Sequence, residues 1–288
     1  MRVALLHNSS AGNEDHTDDE LVRLIGRAGH EVVHVVGGVT ALTAALQKSP
    51  CDLVAVAGGD GTVGRAACEL SDWGVPLGIL PLGTANNTAK TLGLSARLKK
   101  LVKSWESAAR QPYDLALVDD GAVRQRFSEA AGWGVFPLAV AEAKSQPSLD
   151  QPRRQLRRDR KRFKELAKTT APRFYEIDID GRDYSGHYLM VQVMNVPLLG
   201  PQLEVSPSSN PSDGTLEVVW AGEAERASLV DLARMGKAPV PLPFERGERI
   251  RIRAEDGLMH KDGGLLRHAP GIRTFEITVR AAAVHYLR

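Results

Sequence analysis

The feature that most constrains the fold is an alternation, over the first 118 residues, of short apolar runs with amphipathic stretches. "RVALLH" reads as a strand, and behind it Leu21, Val22, Leu24, Ile25 and Ala28 recur at helical spacing within residues 15–28. "EVVHVV", "DLVAVA", "PLGIL" and "YDLALV" repeat the strand pattern. Helices are expected at "TALTAALQK", from about Thr84, and over residues 95–109. Strands and helices in this order specify a parallel sheet covered by helices on both faces.

After about residue 120 the period changes. "YEIDIDG", "HYLMVQVMN", "TLEVVWAG", "ERIRIRAE" and "RTFEITVRA" alternate residue by residue between Gly, Pro and Asp turns, the pattern of an antiparallel sandwich or barrel. A chain of 288 residues exceeds the roughly 100–200 of one compact domain, so two domains are expected.

Charge and cysteine content remove several classes of function. The net charge is +2, with 11 basic and 12 acidic side chains up to residue 118 and 26 and 23 beyond it, so no general nucleic-acid footprint is present. Cys51 and Cys68 have neither metal spacing nor a paired framework; they read as core thiols in a reducing cytoplasm. The apolar run in "MRVALLHNSS" is short for a signal peptide, and no stretch approaches the roughly 18 apolar residues of a membrane span. Any membrane contact is therefore expected to be peripheral, on a cytoplasmic or membrane-peripheral protein.

One local run departs from this balance. Residues 153–168, "RRQLRRDRKRFKELAK", carry nine basic side chains against Asp159 and Glu165. The run reads either as a solvated helix face or as a surface for anionic headgroups, each Lys or Arg near a membrane contributing about 1 kcal/mol.

"DLVAVAGGDGT" places Gly58, Gly59 and Gly61 where a strand gives way to a helix, a setting in which bare backbone amides and the helix N-terminus favour phosphate. "GDGTVG" formally satisfies the dinucleotide pattern. However, it follows the third strand rather than the first, and an aspartate in the turn repels pyrophosphate unless a metal lies between. Asp60 suits Mg²⁺-mediated phosphoryl transfer better, or else merely caps the helix. A second strand end, "LPLGTANNTAKTLGL", offers Gly83 for an unusual backbone angle, Thr84 as a cap, and the amides of Asn86 and Asn87. Consecutive strand-to-helix loops of one parallel sheet lie side by side at its carboxyl edge, where such sheets bind ligands.

The pair "GGDGT" (58–62) and "PLGTANN" (81–87) resembles the diacylglycerol kinase catalytic-domain family, which includes bacterial lipid kinases and the sphingosine and ceramide kinases. "HNSSAG", "AAGWGVF", "PSDGTLEVV" and "KDGG" extend the resemblance along essentially the whole chain. The resemblance implies an ATP- and Mg²⁺-dependent kinase acting on a lipid. It implies an N-terminal three-layer, NAD kinase-like α/β nucleotide-binding domain over residues 1–120. It also implies a C-terminal antiparallel β-sandwich lipid domain over residues 121–279, an active cleft between the two, and a tail at about 280–288 packing back on the first. No oligomeric state is read.

Residue by residue, the resemblance gives Asn8 a nucleotide contact, although Ser9 stands where the family usually has proline. Gly58, Gly59, Asp60, Gly61 and Thr62 would embrace the phosphates, with Asp60 toward the metal. Gly83, Thr84 and Asn86 would help hold the nucleotide. Asp262 would be the catalytic base and Asp213 a carboxylate near a metal, though by pattern alone both sit in ordinary turns. The chain departs from the family at Gly64-Arg65, where Asn-Glu is usual, at Asn87, where Asp is common, and at Gly264, where Glu follows Asp-Gly. These departures leave a catalytically inactive lipid- or nucleotide-binding homologue as the alternative. An NAD kinase shares the glycine loop, but "PLGTANN" argues against it.

Overall fold

The computed structural model describes residues 1–9, 16–95, 97–147, 149, 151–255, 257–269 and 271–288. The chain divides into two compact units: Met1–Tyr113 with Ala282–Arg288, and Asp114–Ala281.

The first unit runs β1 (Arg2–His7), α1 (Asp18–Gly26), β2 (Glu31–Val36), α2 (Val39–Lys48), β3 (Leu53–Gly58), α3 (Asp60–Leu70), β4 (Leu77–Pro81), α4 (Asn87–Thr91) and α5 (Leu98–Ser104). The sheet order is β2-β1-β3-β4, all parallel. Buried on both faces, β3 reads as an unbroken apolar run. Val3, Leu5, Ala55 and Ala57 pack with Leu21 and Ile25 of α1 and Val102 of α5, while α2 and α3 contact β1 and β3. Helix α1 starts on a capping box, Thr17 Oγ1 accepting from Glu20 N as Glu20 returns a carboxylate to Thr17 N. Residue 15 and "SAG" of the "HNSSAG" motif lie outside the described residues.

The second unit begins within β5 (Arg110–Asp119), which forms a hairpin with β6 (Arg124–Phe127). It continues through β7 (Ala130–Gly134), α6 (Val135–Lys144), α7 (Pro152–Thr169), β8 (Arg173–Ile179), β9 (Arg182–Asp183), β10 (Gly186–Tyr188) and β11 (Met190–Met194). After a two-stranded ribbon of β12 (Leu198–Leu199) and β13 (Leu203–Glu204) come β14 (Leu216–Ala221), α8 (Arg226–Met235), β15 (Phe244–Gly247), β16 (Arg249–Ala254), β17 (Leu258–Lys261), β18 (Gly264–Arg267) and β19 (Arg273–Leu287). One antiparallel sheet contains β10-β8-β16-β19 and the other is β15-β14-β11-β7-β17-β18. Tyr175, Ile177, Ile250, Ile252 and Phe275 of the first face Trp133, Val191, Val193, Val218 and Met259 of the second across one buried core. The "RIRIRA" alternation puts Arg251 and Arg253 on the outer face, where they pair with Glu276 at 2.7 Å and Glu176 at 2.8 Å.

The period-two reading of this half misses a layer. Helices α6, α7 and α8 cover the second sheet, with Phe136, Phe163, Leu229 and Leu232 packed on Met190, Met194, Val219 and Ala221. "VFPLAVAEAK" is too uniformly apolar at its start to show a helical period, and its helix is specified by the sheet it covers. The basic run forms α7, whose side chains divide in two. Arg158, Arg160 and Arg162 are tied to Pro147 O, to Pro201 O and Gln202 O, and to Gln146 and Asp159. Arg153, Arg154, Arg157, Lys161 and Lys168 are exposed.

Strand β19 contributes to both units. Its first part pairs with β16, and near its end Tyr286 pairs in parallel with Leu77 of β4. The two cysteines form no disulfide among the described residues and are half-buried rather than core residues, because Cys51 precedes β3 and Cys68 falls on the partly exposed side of α3.

Candidate active site

Strand β3 ends at Gly58, and α3 begins at once with Gly59 as its N-cap and Asp60, Gly61 and Thr62 in its first turn. Gly58 is opposite Pro81 in the parallel register, so the loop after β4 lies beside the loop after β3. The two are closer than side chains allow. A Cβ on Gly83 would stand 2.4 Å from Gly59 Cα, and one on Gly59 would stand 3.1 Å from Gly83 Cα. A Cβ on Gly58 would collide with the Thr62 side chain at 2.8 Å, whereas nothing lies within 4 Å of one on Gly61. The space before Gly61 is open, and glycine leaves its backbone approachable.

Asn8 follows β1 and joins this group. Its N–H donates to Ala57 O at 3.1 Å, and Nδ2 donates to Thr62 Oγ1 at 3.0 Å. The second loop is folded by Asn86, which accepts from Gly83 N at 2.9 Å through Oδ1 and donates through Nδ2 to Gly83 O at 2.7 Å. Asn86 is in the left-handed region, φ +52°, and caps α4. The expected cap, Thr84, instead lies in the preceding bend, because the left-handed turn at Asn86 delays the helix to Asn87. Asp60 also does something the sequence does not reveal: its Oδ1 accepts the N–H of Thr88, at 3.1 Å, in the first turn of α4. The structure thus brings together Asn8, Gly58–Thr62, Gly83 and Asn86.

Asp213 and Asp262 belong to the second unit. Asp213 is exposed and binds its own turn, Oδ1 accepting from Thr215 N at 3.0 Å and Oγ1 at 2.9 Å. Asp262 stands between β17 and β18 in the left-handed region, φ +50°. Its Oδ1 receives N–H groups from Glu129 at 2.8 Å, Ser128 at 3.1 Å and Ala130 at 3.3 Å, while among the described residues Oδ2 receives Ser128 N alone, at 3.2 Å. Burial raises its pKa above the ordinary carboxylate value, outweighing those N–H groups and the nearby Lys261 charge. Gly264 follows at close quarters: a Cβ there would lie 3.1 Å from Lys261 O, so a larger residue requires the turn to give.

Several residues around Asp262 escape sequence reading. His260 is fully buried, with Nδ1 3.2 Å from Asp262 O and Nε2 2.5 Å from Gln192 Oε1, and its ring lies 4.8 Å from that of Phe136. Burial lowers its pKa from an imidazole's 6.5 to about 4. Gly132 makes room for this arrangement, since a Cβ there would lie 2.4 Å from Gln192 Oε1. Asn195 donates through Nδ2 to Asp114 O and Ser128 O, both at 2.8 Å, and buried Asp114 accepts from Gly214 N at 2.8 Å. The His-x-Asp spacing at 260–262 is the one local signal; the other contacts join residues more than 60 positions apart.

The first-unit loops fit a polyphosphate, with open space at Gly61 beside a helix N-terminus. Among the described residues no three His, Cys, Asp or Glu side chains group as a metal site. Among the described residues no helix is long and apolar enough to cross a membrane.

Comparison with known proteins joins these observations. Residues 2–118 match the diacylglycerol kinase catalytic domain, and residues 140–285 match the YegS C-terminal NAD kinase beta sandwich-like domain. A diacylglycerol kinase of Mycobacterium tuberculosis is 27% identical over 224 residues, 75% of this chain and 68% of that protein. A diacylglycerol kinase of Bacillus subtilis is 26% identical over 247 residues, 81% and 78% of the two chains. A crystal structure of a Bacillus anthracis diacylglycerol kinase superposes with a TM-score of 0.73 at 21% identity, covering 99% of this chain and 96% of that one, which establishes the shared fold.

Proposed function

The chain belongs to the diacylglycerol kinase catalytic-domain family, and from that premise we propose that it is a lipid kinase moving the γ-phosphoryl group of ATP onto a hydroxyl of diacylglycerol or a related lipid. The observation that carries this reading is the glycine-on-glycine approach of two strand-end loops beside Asp60. Phosphoryl transfer depends on positioning and charge neutralisation more than on covalent chemistry. Gly58, Gly59, Gly61 and Thr62 would present backbone to the phosphates, while Asn8, Gly83, Thr84 and Asn86 hold the nucleotide. Asp60 would hold Mg²⁺, which when bound neutralises charge on the transferring group. Asp213 has only Oδ2 to offer a metal, its Oδ1 being taken by Thr215.

Asp262 would take the hydroxyl proton through Oδ2, the less engaged oxygen, and burial, by raising its pKa, makes it a stronger base than an ordinary carboxylate. The exposed cations of α7 support a membrane-peripheral enzyme that docks on anionic lipid from the cytoplasm.

One observation favours a second reading, an inactive binding homologue. Gly264 stands where the family has glutamate, and the tight turn at Lys261 O resists a side chain there. Incubation of the purified chain with radiolabelled Mg-ATP and a panel of diacylglycerol, sphingoid base and monoacylglycerol separates the two. A labelled lipid is the expected result. Nucleotide binding without any labelled lipid would overturn the kinase reading in favour of the second.

A further inference from the structure

We propose that a cavity in the β-sandwich unit, at the end of the β17–β18 hairpin away from Asp262, binds a medium-chain fatty carboxylate. The cavity holds about 300 Å³, at the small end of ligand sites. Val118, Val123, Met259, Leu266 and Phe275 give it apolar walls. Asp120, Arg267, His268 and Arg273 bring charge and hydrogen-bonding capacity to the same space.

The polar side of the cavity has an excess of positive charge. Its one carboxylate, Asp120, is committed to the β5–β6 turn: Oδ1 accepts the N–H groups of Ala122 at 3.0 Å and Val123 at 2.7 Å. Oδ2 faces Arg273 Nη1 at 3.5 Å and His268 Nδ1 at 3.6 Å. Two guanidinium groups therefore stand against a single carboxylate that is already well supplied with donors. A carboxylate head would pair with the Arg273 guanidinium, and a methylene tail would cover the walls.

The cavity is separate from the proposed catalytic turn. The hairpin pairs Lys261 with Gly264 at the turn and Leu258 with Arg267 three residues further along, roughly 10 Å away. Leu266, Arg267 and His268 stand toward that far end. The inference does not depend on the kinase reading, and its test uses no turnover.

Isothermal titration of the full chain with decanoate, decanol and decyltrimethylammonium, each below its micellar concentration, tests it. Decanoate should bind saturably, one molecule per chain, with decanol at least tenfold weaker and the cation not bound. Leu266→Trp, which fills the cavity, should abolish decanoate binding. Arg273→Gln, at a partly exposed site that leaves the walls intact, should weaken it at least tenfold with an unchanged unfolding midpoint. No saturable decanoate binding would overturn the proposal. So would equal binding of the cation, or wild-type affinity in Arg273→Gln.

Discussion

The carboxylate of Asp60 lies 3.1 Å from the backbone nitrogen of Thr88 and accepts its hydrogen bond. An acidic side chain in the first turn of α3 thereby caps α4, and its charge stands at a helix N-terminus, where negative charge is favoured. Structure and proposed chemistry then make separable demands on one residue. Asp60→Asn keeps an acceptor for Thr88 and should unfold within a degree or two of wild type, whereas Asp60→Ala should lose about 1 kcal/mol, as removal of a cap typically does. Both should lose at least ~100-fold in lipid phosphorylation. Thermal melts and initial rates check the two halves.

Two glycines in the same loops should respond in opposite ways. Gly83→Ala drives a Cβ to within 2.4 Å of Gly59 Cα, so the backbones must part, at a cost of about 1–3 kcal/mol. Gly61→Ala meets nothing within 4 Å and lies in a helix, where alanine is favoured by about 0.5–1 kcal/mol. It should melt no lower than wild type yet bind Mg-ATP more weakly, because its methyl group occupies the open space. Denaturant unfolding beside nucleotide titration decides this.

Burial sets opposite pH signatures on two neighbours. The folded pKa of Asp262 is raised, so between the ordinary carboxylate value and that raised value the folded state binds more protons than the unfolded, and stability falls as pH rises. Asp262→Asn should therefore gain on wild type as pH rises through this window. If Asp262 is the base, the acid limb of kcat/KM should lie above the ordinary carboxylate range. Asp262→Asn should remove that limb and lower the rate by ~10²–10⁴.

His260 has the reverse sign. With a folded pKa of about 4 against 6.5, its contribution is complete above pH 6.5 and is lost as pH falls toward 4, about 3 kcal/mol in all. The stability difference between wild type and His260→Asn, followed from pH 7 to pH 4, should shrink by that order.

On α7 the exposed and engaged cations should separate in their effects. Charge reversal at Arg154, Arg157 and Lys161 should weaken binding to anionic vesicles by about 1 kcal/mol or more per site and flatten its salt dependence, with little change in stability. Arg160→Glu breaks the bonds to Pro201 O and Gln202 O and should instead lower the unfolding midpoint. Vesicle sedimentation and melting curves distinguish the two classes.

The β/α half was legible because each strand and helix carries its own period, and the glycine loops declared themselves by composition. Asn86 was not: only the finished loop reveals that its side chain clasps Gly83 on both sides, taking from Thr84 the place at the head of α4. Helix α6 hid because an apolar stretch lying on a sheet looks the same in either period, whereas α8 does carry Leu229, Leu232 and Ala233 at helical spacing between polar residues. The surroundings of Asp262 were illegible for a different reason. Ser128, Gln192 and Asn195 are ordinary polar residues whose meaning lies in contacts with partners far along the chain.

The parallel pairing of Tyr286 with Leu77 has a consequence for biosynthesis. The edge of β4, and with it the sheet that carries the glycine loops, is finished only by residues translated after the whole sandwich unit. A nascent chain leaving the ribosome therefore carries β4 with this edge unpaired, and it stays so until residues 282–288 have emerged.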